Sequence, residues 1–190
     1  MSRLRRGALV LLVVGSGSLA WGLYLPAKAV AARALLDRAW DRTLETGEVQ
    51  RPWAWAETWP VARLIAPSQE IDSVVLAGAE GASLAFAPGH VDGTAAPGRA
   101  GNTALAGHRD TTFAFLEKLK PGDELLLETP EGTTARYRMT DGFIVHEDRR
   151  EILDPTPGDI LTLITCYPFD AWRPGGSLRY VVRAERETER

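Results

Sequence analysis

The chain has 190 residues, with 22 basic and 25 acidic side chains for a formal net charge of −3, 18 glycines, 12 prolines and one cysteine. That length holds one ordinary domain plus an appendage and excludes two full enzymatic domains. A single cysteine, Cys166, excludes an intramolecular disulfide and a zinc cage built on several thiolates, and residues 1–26 hold three arginines and no acid, which leaves a net acidic remainder and disfavours nucleic acid as a partner.

Arg3, Arg5 and Arg6 precede an uncharged run, residues 7–25, that is rich in Leu, Val, Ala and Gly and closes with Trp21, Tyr24 and Pro26. As a helix rising about 1.5 Å per residue, the run reaches roughly the 30 Å of a bilayer core. Residues 1–26 therefore predict a basic cytoplasmic start and a single transmembrane anchor, with the rest of the chain on the extracytoplasmic side of the inner membrane. The competing reading is a cleaved signal peptide, because Ala27-Lys28-Ala29 resembles a small-x-small cleavage site, although such peptides have apolar cores of about 7–15 residues. Both readings export residues 30–190. A buried core helix fits poorly, because the run has no polar face.

Residues 27–60 read as a juxtamembrane segment in two parts. Val30, Leu35, Leu36 and Trp40 recur at helical spacing up to Arg42. From Thr43 to Pro60, Gly47, Pro52 and Pro60 argue against regular structure, while Trp53, Trp55 and Trp59 argue for a strap packed on a domain surface.

Residues 61–190 change texture to short apolar runs between turn residues. Candidate strands are Ala62–Ile65, Ser73–Ala77, Ser83–Ala87, Asn102–Ala106, Glu124–Glu128, Thr133–Asp141, Ile160–Cys166 and Leu178–Ala184. Pro121-Gly122-Asp123, Pro130-Glu131-Gly132, Pro157-Gly158-Asp159 and Pro174-Gly175-Gly176 supply turns between them. Thr112–Leu119 reads as a short helix, and Glu185–Arg190 as a solvated charged end. The fold class is mainly all-β, an eight-stranded barrel with one or two short helices behind the N-terminal transmembrane helix.

Three residues carry chemistry. Cys166 ends an apolar run and is followed by Tyr167-Pro168, so the thiol sits at a strand terminus beside a loop. A lone cysteine is commonly an inert, buried hydrophobe, but in an exported protein a free thiol implies either reactivity or deep burial. His108 lies just past the candidate strand Asn102–Ala106, presented by the bend at Gly107. If that strand and Ile160–Cys166 are parallel neighbours, thiol and imidazole open on one edge. Arg179 begins the last strand; if that strand pairs antiparallel with Ile160–Cys166, the guanidinium falls beside the thiol. A nucleophile, a proton donor and a permanent cation for a developing oxyanion make an acyl-transfer set.

These residues also resemble a known family. Thr162-Leu163-Ile164-Thr165-Cys166 resembles the sortase motif T-L-x-T-C, Gly107-His108-Arg109 the histidine corner, and Leu178-Arg179-Tyr180-Val181-Val182 the C-terminal arginine strand. The resemblance implies the sortase β-barrel, with His108, Cys166 and Arg179 as catalytic residues. It further implies a membrane-anchored cysteine transpeptidase, which cleaves the C-terminal sorting signal of a substrate protein, holds it as a thioacyl intermediate and passes it to an amine acceptor. The Trp-rich segment 51–60 and Phe86-Ala87-Pro88-Gly89-His90 resemble the variety found in Gram-negative, proteobacterial organisms. In the family, the segment Phe143–Asp159 helps select the sorting signal and the loop Tyr167–Leu178 flanks the cysteine.

Two further residues are candidates at the substrate site. Thr165 is either a donor to bound peptide or an ordinary strand residue, and Asp110 either orients His108 or caps a turn. His90 and His146 read as surface residues. A metal site on His90, His108 and Cys166 has suitable ligand types but no ligand spacing, so no metal and no cofactor is expected. Two other functions remain open at this point: a catalytically silent, peptide-binding sortase-like module, and a cysteine hydrolase that releases its substrate to water.

Overall fold

The computed structural model describes residues 3–173 and 175–187. A single helix, α1 (Arg3–Thr46), carries both the predicted anchor and the predicted juxtamembrane helix without a break. It ends because Gly47 takes a left-handed φ of 70° and donates its N–H to the Thr43 carbonyl at 2.9 Å. The span predicted at 7–25 falls inside α1, and most of its side chains lie outside the described residues. Among the described residues no helix is long and apolar enough to cross a membrane.

The C-terminal part of α1 is docked. Leu36 and Trp40, the latter 1% exposed, pack with Val74, Leu76 and Ala87 in an apolar cluster of their own. The following strap is tied down by Thr58, whose hydroxyl donates to the Ala77 carbonyl at 2.7 Å, and by the Ala77 N–H donating to Trp59. Trp53 meets the Phe86 ring edge-on at 5.6 Å. The expectation that all three strap tryptophans pack inward is corrected at Trp55, which is 81% exposed.

Eight strands follow: β1 (Pro60–Ala66), β2 (Ile71–Ala77), β3 (Gly89–His90), β4 (Asn102–Ala106), β5 (Glu124–Glu128), β6 (Thr134–His146), β7 (Ile160–Tyr167) and β8 (Leu178–Arg186). They close into a barrel in the order β1-β2-β3-β4-β7-β8-β6-β5. All neighbours are antiparallel except β2 with β3 and β4 with β7, which are parallel. Strand residues alternate between core and surface, as in β1, where Ala62, Leu64 and Ala66 are buried and the residues between them are half-exposed. Leu125, Leu127, Tyr137, Leu161, Leu163 and Val182 continue that core, which Phe113, Phe115 and Leu116 join from a 3-10 turn, Ala114–Lys118.

Several expected elements differ. The strand expected at Ser83–Ala87 is displaced to Gly89–His90, and Gly81–Ala85 is a 3-10 turn. The backbone of Gly78 and Ala79 crosses so close to Gly89 that only a residue without a side chain fits there. The helix expected at Thr112–Leu119 is only the short 3-10 turn just described. β6 runs to His146, beyond the expected end at Asp141, after a register shift between Met139 and Asp141. β8 continues to Arg186, into the stretch that reads as charged tail; residues 188–190 lie outside the described residues.

A Cβ at position 89 would lie 2.2 Å from the Gly78 carbonyl oxygen and 2.9 Å from the Ala79 Cα, both backbone atoms. Gly89→Ala is therefore expected to cost about 3 kcal/mol, the upper part of the overpacking range. A urea midpoint equal to that of the unaltered protein would contradict this.

Candidate active site

Two strand pairings build the site. The β4–β7 ladder is parallel and in register from Asn102↔Ile160 to Ala106↔Ile164. Beyond it the Gly107 N–H still donates to the Ile164 carbonyl at 3.1 Å, and the Thr165 hydroxyl donates to the Gly107 carbonyl at 2.7 Å. His108 and Cys166 thus leave the same edge of adjacent strands, each two residues past the last register pair. The second pairing is antiparallel: in the β7–β8 ladder Cys166 lies directly opposite Arg179. Side chains so placed share one face with Cβ atoms about 5 Å apart. Both conditions that the sequence left open are met, and the strand ends bring thiol, imidazole and guanidinium to one edge of the barrel.

The histidine corner is held from behind. Thr112 accepts from the His108 N–H through its hydroxyl at 3.1 Å, and the Phe113 N–H donates to the His108 carbonyl at 2.9 Å. Gly107 is packed so tightly that a Cβ there would meet Thr112 Oγ1 at 2.7 Å and Phe113 Cγ at 2.8 Å. Phe113 is fully buried, so it fixes where the bend can go. The imidazole of His108 is exposed, and Cys166 is half-buried.

Arg179 is held by its own loop and by an acid that sequence reasoning missed. Its Nη1 donates to the carbonyls of Gly176 (2.6 Å) and Leu178 (3.0 Å), and its Nη2 to Glu147 Oε2 at 2.6 Å. Glu147 follows the last residue of β6, and its own N–H donates to the Ser177 carbonyl. No motif signals this pairing, which arises because β6 ends beside the start of β8 at His146↔Leu178. On the opposite face from Arg179, Tyr180 stacks with Tyr167 at 6.4 Å and meets Phe169 edge-on at 5.4 Å. Burial, with Asp141 adding to it, raises the Tyr180 pKa above its ordinary value.

The secondary candidates fall elsewhere. Thr165 is buried and its hydroxyl donates to the Gly107 carbonyl, a bond that holds the two strand ends together. Asp110 is exposed and has no hydrogen bond to His108 among the described residues. His90 pairs through Nε2 with the Ala95 carbonyl and the Thr94 hydroxyl, and His146 through Nδ1 with Asp148. Among the described residues no group of three His, Cys, Asp or Glu is placed to hold a metal ion. A cavity of about 870 Å³ between α1, the strap and β2, lined by Leu35, Trp53 and Phe86 among others, includes none of the three chemical groups.

A closed eight-stranded barrel that offers a cysteine, a histidine and an arginine at one edge defines a class of protein, and comparison agrees with it. The sortase domain profile matches residues 64–187, and the chain belongs to the sortase family. It is 29% identical over 123 residues to Sortase D of Bacillus subtilis, an overlap of 64% of this chain and 61% of that one. It is 36% identical over 82 residues to Sortase SrtE1 of Streptomyces coelicolor, covering 37% of this chain and 23% of that one. Among solved structures it is similar to Sortase A from Corynebacterium diphtheriae, with a TM-score of 0.64 and 29% identity over 72% of this chain and 64% of that chain. The chain thus spans less than two thirds of each of these relatives.

Proposed function

We propose that this protein is a membrane-anchored cysteine transpeptidase, with Cys166 as nucleophile, His108 as proton carrier and Arg179 as the cation beside the developing oxyanion. The observation that carries the reading is the pair of strand registers: Cys166 opposite Arg179 on one side, and the aligned ends of β4 and β7 on the other. The Cys166 thiolate adds to the carbonyl of a Thr–Gly-like bond in a C-terminal sorting signal, the C–N bond breaks, and His108 delivers the proton to the departing amine. The fixed charge of Arg179 offsets the oxyanion. An acceptor amine then adds to the thioester, the C–S bond breaks, and the thiol is regenerated as the new amide forms.

The segments that flank the thiol, residues 143–159 and 167–178, would select the peptide. The uncharged run 7–25 behind Arg3, Arg5 and Arg6 supports an anchor in the inner membrane with the barrel on the extracytoplasmic side. The assignment to the variety found in Gram-negative organisms rests on the Trp-rich segment 51–60 and on residues 86–90.

The test is incubation of the full chain in detergent with peptides that carry a thiol-reactive group in place of the scissile bond, followed by mass analysis. An adduct confined to Cys166 is the expected result, and a protein left unmodified would sink the enzyme reading in favour of a silent binding module. With an unblocked substrate, a product mass indifferent to added primary amine would mark a hydrolase instead.

The Glu147–Arg179 pair yields a milder prediction. Its side chains are 49% and 25% exposed, so its contribution to stability is within the ~0.2–1 kcal/mol of surface ion pairs. Glu147→Gln is expected to leave the melting temperature nearly unchanged while lowering kcat/KM several-fold, because the bond that fixes Nη2 loses its ionised acceptor and weakens. Unaltered kinetics would assign Glu147 to the surface alone.

A further inference from the structure

The sequence pairs His108 with an arginine whose role the transpeptidase reading does not use. Arg109 is the one buried charged side chain among the described residues, at 8% exposure. Burying a guanidinium is costly unless its donors are matched. No carboxylate is bonded to it among the described residues. Its Nη2 instead donates to two backbone carbonyls, Ala171 at 3.1 Å and Arg173 at 2.6 Å, and its Nη1 is buried with no hydrogen-bond partner there. A buried cation with an unmet donor is an expense that needs a reason.

The reason lies in what the bonds connect. Ala171 and Arg173 belong to the loop between β7 and β8, whose first strand ends just past Cys166 and whose second begins beside Arg179. Arg109 grows from the corner that presents His108, on a third strand end. The guanidinium therefore ties the histidine corner to the loop that joins the thiol strand to the arginine strand, across 62 and 64 residues of sequence. Among the described residues few other bonds hold the middle of this loop: the Ala171 N–H bonds to Pro168 within the loop itself, and Trp172 is 96% exposed.

We propose that Arg109 is a positioning residue that holds the β7–β8 loop against the thiol and so decides which nucleophile reaches the thioacyl group. The proposal rests on the transpeptidase reading and deepens it. The thioester has two possible fates. An amine forms a C–N bond as the C–S bond breaks, and its proton passes by way of His108 to the sulfur. Water follows the same route, forming a C–O bond and a carboxylic acid. With the loop held, water is kept from the thioester and the amine prevails; with the loop released, hydrolysis gains.

The test uses the full chain in detergent with N-acetyl-threonine S-ethyl thioester as acyl donor and glycinamide as acceptor, and measures the ratio of amide to acid product. Arg109→Met, which keeps an unbranched stem and loses every N–H donor, is expected to lower that ratio about tenfold relative to the unaltered protein, equivalent to ~1.4 kcal/mol between the two barriers. Arg109→Lys, which keeps a cation able to bond one carbonyl, is expected to fall between the two. Loss of folding alone would reduce both products together and leave the ratio unchanged, so a folded Met or Lys variant with the original ratio overturns the proposal. Failure of both variants to fold, seen by circular dichroism, assigns Arg109 to stability and overturns it as well. If the unaltered protein forms no thioester on Cys166, the transpeptidase reading itself falls, a result separate from any change in the ratio.

Discussion

Cys166→Ala is expected to give a folded protein that forms no thioacyl adduct and turns substrate over at the background rate, a loss of at least about 10⁴-fold. The fold should survive because the bonds that align the two strand ends do not use the thiol: the Gly107 N–H bonds to Ile164, and the Thr165 hydroxyl to Gly107. Cys166 is only half-buried, so removing one sulfur leaves little cavity, and the stability change should stay within roughly 1 kcal/mol. Thermal unfolding and single-turnover acylation, measured on one preparation, check both halves. Acylation persisting in the alanine variant would move the nucleophile elsewhere.

The second large effect is expected at the histidine corner, where two substitutions should fail for different reasons. His108→Gln keeps the exposed position and the backbone bonds to Thr112 and Phe113, so it should fold normally and lose the roughly 10²–10⁴-fold that a positioned proton carrier contributes. Gly107→Ala keeps the imidazole but drives a methyl group against Thr112 Oγ1 and the buried ring of Phe113. Since Phe113 belongs to the core, the corner must yield. The expected cost is about 1–3 kcal/mol of stability, and a shift of about 1 Å in the imidazole is enough to cost some 10²-fold in rate. The pair is separated by unfolding midpoints: Gly107→Ala should shift, His108→Gln should not. A fully active Gly107→Ala enzyme would show that the corner has slack that its packing denies.

Short strands sharply bounded by turn residues were the legible part of the fold, whether they alternate, as β5 does, or are buried along most of their length, as β4 is. β4 and β5 begin and end where turn residues and apolar runs place them, because each is a short run bounded by glycine, proline or aspartate. β3 was illegible because two residues hold no period, and what selects them is the passing backbone of Gly78, a partner eleven positions away in the chain. Thr112–Leu119 shows helical spacing, but burial of Phe113, Phe115 and Leu116 at the barrel core is met by a single 3-10 turn. At the site, cysteine, histidine and arginine could be singled out because reactive groups at strand ends carry a recognisable pattern. Whether they meet depended on strand neighbours, which only the barrel order supplies. Glu147 left no trace, and Arg109 stood only as a member of the histidine corner, since each acts through an ion pair or backbone carbonyls brought close by distant strand ends.

Closure of the barrel carries a consequence for how a peptide can be recognised. A sheet with a free edge can capture an extended chain by adding it as one more strand, with affinity from the main-chain ladder and little dependence on sequence. Here that route is occupied on the strand before the histidine: the Val91 N–H already donates to Ala104 and the Ala95 N–H to Asn102, while the Thr94 hydroxyl accepts from the Ala104 N–H. On the transpeptidase reading, a peptide laid along this strand would meet side chains and loop carbonyls in place of a borrowed ladder. Discrimination between peptides would then be sharp and local, falling on the few positions nearest the cleaved bond, and indifferent to the extended chain on either side.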